Sequence, residues 1–211
     1  MPMNAIWYFD FISPFAYLQL PRIRELAQHH PITPRPIVLA ALLRHHGQLG
    51  PAEIPGKREF TYRMAQWTAE TSGVVLRFPP AHPFNPLPAL RLAIACGSSW
   101  QAITTIFRHI WLRGLAGDDA RSLAGVADDF GIVDIETAIA AAAVKEELRA
   151  NTEEAIAAGV FGVPTLHFGN CLIWGNDATP MFEKMLADRD YFERGEYARI
   201  EGLPAAIERV R

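Results

Sequence analysis

The chain has 211 residues, of which half are apolar and a fifth are charged, and this suits one globular domain or one domain with a large insertion. Its 20 basic and 23 acidic side chains leave a net charge of −3, which argues against a protein that holds a nucleic-acid backbone. The two cysteines, Cys96 and Cys171, form no C-x-x-C pair, which disfavours a disulfide framework and a structural zinc site. A reducing compartment is therefore expected.

The N-terminal residues argue against export and against membrane insertion. No basic residue precedes Arg22, and Pro14 and Pro21 interrupt the nearby apolar run, unlike a secretory signal. No stretch reaches the roughly 18 uncharged apolar residues that a membrane-spanning helix needs. We therefore expect a cytoplasmic protein without a membrane partner.

The first predicted elements are a strand and a helix. Residues 4–11 are aromatic and mostly apolar, which predicts a short buried strand. Ser13 followed by Pro14 is typical of a helix start, because serine caps the first turn and proline fits its first position. The helix is predicted to run from 15 to 30, with a kink at Pro21 rather than a break into two helices.

The middle of the chain is predicted to be helical after one extended segment. Residues 31–38 contain three prolines, which forbid a helix and predict a short or irregular strand. The pattern then turns helical from Leu39 to about Asn151, with loops rich in Gly and Pro at 46–56 and 77–86. Helices are predicted over 58–72, 87–95, 99–115, 120–130 and 135–143.

The last part of the chain returns to strands. A helix over 146–158 ends at Gly159, and strands are predicted at 164–168 and 171–174 around the hairpin signal Gly169-Asn170. A further helix is predicted near 179–187. The tail from Asp188 to Arg211 is charged and receives no firm assignment.

This order of elements predicts the fold class. A β-α-β unit, a helical block and an α-β-β-α unit follow one another, and removal of the block leaves the thioredoxin plan. The chain is therefore predicted to be α/β, a thioredoxin-like fold with a large all-helical insertion. Residues 1–38 and 146–211 would form the thioredoxin-like domain, and residues 39–145 the inserted helical domain.

Ser13 is the first candidate for chemistry. It follows the first strand at the start of the first helix, where a thioredoxin-like redox enzyme carries its first active cysteine. The segment Ser13-Pro14-Phe15-Ala16 contains no thiol, so dithiol–disulfide exchange by that route is excluded. Two interpretations stay open: the serine only caps the helix, or its O–H donates a hydrogen bond to the thiolate of a ligand.

Two segments near the end of the chain are also candidates. In residues 159–165 a helix end, a Gly turn and Val-Pro open a strand, and we expect a cis Val163-Pro164 bond with the Val163 backbone facing a ligand. The alternative is an ordinary trans proline. Asn176 and Asp177 follow the last strand and either hold the ammonium and carboxylate of a γ-glutamyl group or cap a helix.

The other polar and aromatic clusters do not predict a catalytic or metal site. The adjacent pairs His29-His30 and His45-His46 lack the spacing of metal ligands, and we expect no metal. Phe107, Ile110 and Trp111 have helical spacing and are predicted to belong to the core, although Trp111 could line an aromatic pocket.

Five blocks of sequence resemble the 2-hydroxychromene-2-carboxylate isomerases and their kin, the kappa-class glutathione transferases. They occur in the order of that family and are spread over nearly the whole chain. The blocks are Phe-Asp-Phe-Ile-Ser-Pro-Phe-Ala-Tyr at 9–17, Pro-Phe-Asn-Pro-Leu-Pro-Ala-Leu-Arg at 83–91, Phe-Arg-His-Ile-Trp at 107–111, Gly-Val-Phe-Gly-Val-Pro-Thr at 159–165 and Trp-Gly-Asn-Asp at 174–177.

The resemblance implies a thioredoxin-like domain with a helical insertion, glutathione as cofactor and a homodimer. It implies that Ser13 contacts the glutathione sulfur and that Val163, before a cis-proline, binds the cysteinyl backbone. Asn176 and Asp177 match the γ-glutamyl site.

Three further positions bear on the same site. The resemblance implies that Lys57 reaches the glycyl carboxylate of glutathione. Gln48 is a candidate cofactor contact at a position where the family usually has asparagine. Ala178 stands where these proteins often carry a basic residue.

The function implied is that of a glutathione-dependent isomerase with a small aromatic acid as substrate. It would interconvert 2-hydroxychromene-2-carboxylate and trans-o-hydroxybenzylidenepyruvate in aromatic catabolism, through a thiolate that adds to a conjugated double bond, allows rotation and leaves. A kappa-like glutathione transferase with the same cofactor site is one alternative. The other is a non-catalytic thioredoxin-fold binding module in which Ser13 only caps a helix.

Overall fold

The structure is a computed structural model, and it describes residues 4–204. Its strands are β1 (Ala5–Phe9), β2 (Ile32–Pro36), β3 (Thr165–Phe168) and β4 (Cys171–Trp174). They form one mixed sheet in the order β2-β1-β3-β4, in which β1 is parallel to β2 and antiparallel to β3. β3 and β4 form an antiparallel hairpin. The predicted thioredoxin-like α/β fold is confirmed.

Helices make up most of the rest of the described chain. The first, α1, follows β1 and contains Pro21 without breaking in two, as predicted. The helices are α1 (Pro14–Leu26), α2 (Leu39–His45), α3 (Lys57–Thr71), α4 (Leu87–Ala95), α5 (Trp100–Phe107), α6 (Ala120–Asp128), α7 (Ile135–Ala140), α8 (Ala142–Ala157), α9 (Thr179–Ala187) and α10 (Glu196–Glu201). Everything between β2 and β3 is helix or loop, but the predicted limits of the insertion, 39–145, stay a prediction.

Several predicted helix limits need correction. The first helix, predicted to run to 30, ends at Leu26. The continuous helix expected over 99–115 ends as an α-helix at Phe107 and continues as a π turn, Arg108–Leu112. One extra residue in a turn shifts the phase of the apolar pattern only slightly over a short run, so periodicity alone does not reveal it. The break expected between 143 and 146 lies at Ala141, whose backbone is extended, so α7 ends at Ala140 and α8 begins at Ala142.

β1 is the centre of the core and is buried on both faces, as predicted for a short buried strand. On one face Trp7 and Phe9 stack at 4.6 Å between ring centroids, and Phe107 lies 5.6 Å from Phe9. On the opposite face Tyr8 packs into a cluster that contains Leu42 of α2. Because side chains alternate along a strand, the two faces bury β1 between helical layers.

β2 is one of the two edge strands of the described sheet, and it carries two prolines. Pro34 pairs with Trp7 and Pro36 with Phe9 in a regular parallel register. Directly after the strand, the Ile37 N–H donates to the Phe9 carbonyl at 3.0 Å. The N–H groups along a strand point alternately to its two sides. Because the N–H of Ile37 points toward β1, the backbone nitrogens of Pro34 and Pro36 point away from β1.

The described chain divides into two compact units, one ending at Asn176 and one beginning at Asp177. The second unit contains α9, a short 3₁₀ turn (Tyr191–Glu193) and α10. The Lys184 ammonium lies 4.9 Å from the centre of the Tyr191 ring, and Tyr197 packs 5.6 Å from the same ring. This small aromatic cluster links α9, the turn and α10 within the unit.

Candidate active site

Four chain connections meet at one end of the strands, the end at which β1 and β2 finish. β1 and β2 run parallel, so their C-terminal ends lie side by side. Tyr8, near the end of β1, pairs with Thr165 at the start of β3, and Thr165 pairs with Trp174 at the end of β4. The Ser13 loop, the segment before Thr165 and the turn after Trp174 therefore leave the sheet at the same place, which is where functional side chains of such sheets gather.

Ser13 is buried and begins α1. Its Oγ accepts a hydrogen bond from the Ala16 N–H at 3.2 Å, and its own N–H donates to the Asp10 carbonyl at 3.1 Å. The predicted N-cap is therefore confirmed. Capping uses only a lone pair of the hydroxyl oxygen, and no acceptor for the hydroxyl proton lies among residues 4–204. Capping and donation to a ligand are thus compatible in the same side chain.

Asp10 shapes the turn that carries Ser13, and sequence reasoning missed it. Its side chain is completely buried, with one carboxylate oxygen accepting the Ile12 N–H at 3.1 Å and the other accepting the N–H of Leu39 at 2.9 Å. Burial raises the pKa of Asp10 to about 7, although the backbone N–H donors work against this rise. Asp10 thus joins the loop after β1 to the first turn of α2. A lone charged residue in an aromatic strand was the available signal.

The same loop is held from the other side by two aromatic residues of the helical region. The indole Nε1–H of Trp111 donates to the Phe11 carbonyl at 2.8 Å, and the Nε2–H of His82 donates to the Ile12 carbonyl at 2.8 Å. The Tyr62 hydroxyl lies 2.8 Å from Nδ1 of His82 and donates to the His82 carbonyl at 2.7 Å. Burial lowers the pKa of His82, which favours the neutral ring that this arrangement uses.

Val163 precedes Pro164 through a cis peptide bond, which confirms the predicted isomer. No turn or loop hydrogen bond within the described chain uses the Val163 N–H or C=O. The hydroxyl of Thr165 donates to the Gly162 carbonyl at 2.8 Å. A Cβ on Gly162 would lie 2.6 Å from the Trp174 indole nitrogen, so the close approach of Trp174 favours glycine there.

Gln19 of α1 ties the sheet to the turn after β4, and sequence reasoning did not single it out. Its side chain is fully buried and accepts the Trp7 indole N–H at 2.8 Å. Its amide Nε2 donates to the Gly175 carbonyl at 3.1 Å. Gln19 thereby positions the turn that leads into Asn176, which is partly buried.

The remaining predicted site residues lie on other segments. Gln48 is exposed in the loop after α2, and Lys57 is exposed as the first residue of α3. Neither side chain forms a hydrogen bond or ion pair within the described residues. Asn176 ends the first unit, and Asp177 begins the second. The structure thus brings the Ser13, Val163 and Asn176 segments to the same end of the strands. The assignment of roles to the six predicted cofactor-site residues stays a prediction.

Residues 4–204 contain neither a metal centre nor a membrane-spanning helix. No group of three or more His, Cys, Asp and Glu side chains has the arrangement of a metal centre. Among these residues, no helix has both the length and the apolar character to span a membrane. The chemistry available at this end of the strands is thus that of a hydroxyl donor at a helix start, the backbone N–H and C=O of Val163, which are unpaired within the described chain, and a nearby buried carboxyl.

Comparisons with known proteins agree with this geometry. Residues 6–187 match the model of the DSBA-like thioredoxin domain family. A 2-hydroxychromene-2-carboxylate isomerase from Pseudomonas putida is 32% identical over 197 residues, which cover 87% of this chain and 94% of that protein. A glutathione S-transferase kappa 2 from Caenorhabditis elegans is 28% identical and covers 89% of this chain and 94% of its own length.

A solved structure gives the same result at the level of the fold. It is a 2-hydroxychromene-2-carboxylate isomerase, which superposes with a TM-score of 0.75 at 29% sequence identity. The match covers 88% of this chain and 95% of that one.

Proposed function

We propose that this chain, which belongs to the DSBA-like thioredoxin domain family and to the family of 2-hydroxychromene-2-carboxylate isomerases, is a glutathione-dependent isomerase of aromatic catabolism. Its reaction would be the interconversion of 2-hydroxychromene-2-carboxylate and trans-o-hydroxybenzylidenepyruvate. The isomerase relatives support the reaction class, and the kappa-class relative supports glutathione as the cofactor. The homodimer and the cytoplasmic location remain predictions.

One observation carries the proposal. The buried Ser13 oxygen accepts the capping N–H at the start of α1, and its proton has no acceptor among the described residues. A hydroxyl proton at a helix N-terminus suits a negatively charged acceptor, because the helix dipole and the O–H bond both favour the charge there. A sulfur anion bound beside Ser13 fits this arrangement.

The polar groups of glutathione other than its sulfur can also be paired with side chains and backbone groups of this chain. The unused N–H and C=O of Val163 fit a peptide backbone, which offers one acceptor and one donor in the same spacing as a strand. The exposed ammonium of Lys57 fits the glycyl carboxylate. Asn176 and Asp177 fit the α-carboxylate and α-ammonium of the γ-glutamyl group. Gln48 is the remaining proposed contact.

The groups at Ser13 can supply the free energy needed to ionise a bound thiol at neutral pH. A free thiol with a pKa of about 8.5 is only a few per cent ionised at pH 7, and half-ionisation needs a shift of roughly 1.5 units, or about 2 kcal/mol. A helix N-terminus supplies about 0.3–1 kcal/mol, and a hydrogen bond to a charged group supplies about 1.5–3 kcal/mol. The hydroxyl and the helix start together can therefore supply the shift, whereas the dipole alone cannot.

The protein's part in the reaction is binding and charge stabilisation. Bound glutathione would supply a thiolate that adds to the conjugated double bond, which leaves a single bond free to rotate, and the double bond would re-form when the thiolate leaves. The Ser13 O–H would stabilise the negative charge on the sulfur by a hydrogen bond. It places no full positive charge beside the sulfur, so the sulfur stays nucleophilic. Asp10, Trp111 and His82 would keep the Ser13 turn in place while that charge appears and disappears.

The decisive experiment is the isomerisation of 2-hydroxychromene-2-carboxylate with and without glutathione. We expect turnover in the presence of glutathione and none above the spontaneous rate in its absence. Calorimetry should show glutathione binding in the micromolar to millimolar range. Absence of binding at 10 mM glutathione would instead support the binding-module alternative.

A kappa-like glutathione transferase is the second candidate, because a kappa-class relative matches nearly the whole chain. It would use the same cofactor residues and differ only in the second-substrate pocket. Conjugation of glutathione to an electrophilic aromatic compound, measured alongside isomerisation, separates the two enzymes. Stable conjugate without isomerisation would favour the transferase.

A further inference from the structure

A cavity in the helical part of the protein contains none of the predicted cofactor-site residues. It has a volume of about 850 Å³, within the ordinary range of roughly 300–1,000 Å³ for small-molecule sites. Three arginines line it: Arg24 near the end of α1, Arg108 in the π turn and Arg113 directly after that turn. The cavity therefore concentrates positive charge from two segments that are distant in sequence, the end of α1 and the π turn.

The π turn is what places two of these arginines together. In an α-helix of 3.6 residues per turn, five residues make about 1.4 turns, so Arg113 would lie roughly 140° around the axis from Arg108. In the π turn the Arg113 N–H donates to the Arg108 carbonyl at 3.0 Å, which closes one turn over five residues. The two residues are thereby brought to the same side. π turns of this kind are frequent at functional sites.

The cavity has cationic groups without internal counter-charges. None of the three arginines forms an ion pair or hydrogen bond through its side chain within residues 4–204. The only acidic residue on the cavity wall, within the described chain, is Asp129, and it forms no ion pair with them. Three guanidinium groups against one carboxylate leave an excess of two positive charges.

His109 adds a buried polar group to the same wall. Its side chain is only 8% exposed, and its Nε2–H donates to the Ala116 carbonyl at 2.9 Å. Burial lowers the pKa of His109, although the hydrogen bond to Ala116 works against this, and the charge of Arg113 lowers it further. These effects favour the neutral ring, in which Nδ1 carries a lone pair. That nitrogen has no hydrogen-bond partner among the described residues. It suits a hydroxyl donor on a ligand.

We propose that this cavity binds a small molecule through an oxyanion group, a carboxylate or a phosphate, carried on a partly apolar body. The guanidinium forks of Arg108 and Arg113 match the two oxygens of such a group, and Arg24 completes the positive surroundings. Leu115 and Val126 supply apolar wall for the remainder of the ligand. The site is independent of the proposed isomerase function.

The test uses the whole protein, calorimetry and thermal shift, with sodium benzoate and inorganic phosphate as separate probes. Arg108→Gln and Arg113→Gln each remove one guanidinium. Arg121→Gln is the matched control, since Arg121 is exposed in α6 beside Ser122 but is not on the cavity wall. Circular dichroism and the melting temperature without ligand verify that each variant is folded.

Saturable binding of at least one probe to wild type is expected, with affinity at least about tenfold weaker in both cavity variants and unchanged in Arg121→Gln. Binding of benzoate alone assigns a carboxylate ligand, and binding of phosphate alone assigns a phosphate ligand. Ser13→Ala should bind either probe as wild type does, which separates this site from the proposed active site. No saturable binding of either probe, or equal binding in wild type and the cavity variants, would overturn the proposal.

Discussion

The Nε2–H of His82 donates a 2.8 Å hydrogen bond to the carbonyl of Ile12, the residue directly before Ser13. The other nitrogen of the ring lies 2.8 Å from the Tyr62 hydroxyl. Through this imidazole, α3 reaches the turn that positions the proposed catalytic hydroxyl. The helical region between β2 and β3 therefore helps to hold the site and does not merely cover the sheet.

Loss of this contact should slow turnover more than it weakens glutathione binding. His82→Phe keeps the aromatic packing and leaves the Ile12 carbonyl unpaired, which we expect to cost about 1–3 kcal/mol of unfolding free energy and to lower kcat roughly tenfold. His82→Gln, which can still donate from its amide, should recover part of both losses. Urea unfolding and steady-state kinetics measure the two effects. Wild-type kcat in His82→Phe would contradict the positioning role.

Ser13→Ala should separate capping from catalysis. Ser99→Ala is a matched control, because the Ser99 oxygen accepts the Ala102 N–H at the start of α5 at the same 3.2 Å as Ser13 and Ala16. Each variant should lose about 0.5–2 kcal/mol of stability. Only Ser13→Ala should also cut turnover, by roughly 10- to 150-fold, and raise the pKa of the bound thiol.

The absorbance of the bound thiolate against pH gives that pKa directly. Equal turnover in the Ser13 and Ser99 variants, with an unchanged thiol pKa, would mean that the sulfur is held by another group.

Asp10 should make the protein less stable as the pH rises from about 4 to about 7. Its pKa is raised to about 7 in the folded state, so the folded protein binds this proton more tightly than the unfolded chain does. The free energy of unfolding then falls with pH across that interval, at a steepest slope of about 1.4 kcal/mol per unit from this group. Asp10→Asn should remove this component of the slope.

Urea unfolding of both proteins at several pH values between 4.5 and 8 tests the prediction. His82 has a lowered pKa and acts in the opposite sense, since its contribution is lost as the pH falls. The difference between wild type and Asp10→Asn cancels that term. Parallel curves for the two proteins would show that Asp10 is ionised throughout.

Gln19→Leu should weaken cofactor binding through the turn after β4. The substitution leaves the Trp7 indole N–H and the Gly175 carbonyl without their amide partner, at a cost of about 1–3 kcal/mol of stability. We expect the glutathione KM to rise several-fold while kcat changes less, because Asn176 is the displaced group. Gln66→Leu, on the exposed face of α3, is the control and should behave as wild type.

The secondary structure could be predicted from the sequence wherever local pattern and burial agree. The aromatic run of β1, the Ser13-Pro14 helix start and the Gly169-Asn170 hairpin each combine a propensity with a turn or cap signal, and each lies in the structure as predicted. The resemblance to a family supplied the candidate cofactor residues. Their roles stay predictions, because no local pattern distinguishes a capping serine from a donating one.

The contacts that hold the site could not be predicted, because each joins residues far apart in the chain. Asp10 reaches Leu39, His82 reaches Ile12, and Gln19 reaches Gly175, each through one side chain. A single sequence carries no signal of which buried polar group meets which backbone group. Such pairings depend on tertiary packing and become visible only in the fold.

The prolines of β2 protect the outer edge of the sheet against assembly. An edge strand with free N–H groups invites a strand of another molecule, and this is a common route to aggregation and strand exchange. Pro34 and Pro36 occupy the outward-facing donor positions and leave Ile32 as the outward N–H of the strand. An added strand would therefore find carbonyl acceptors but almost no donors. The β2 edge of the sheet can thus stay uncovered and still pair poorly with a strand of a second chain.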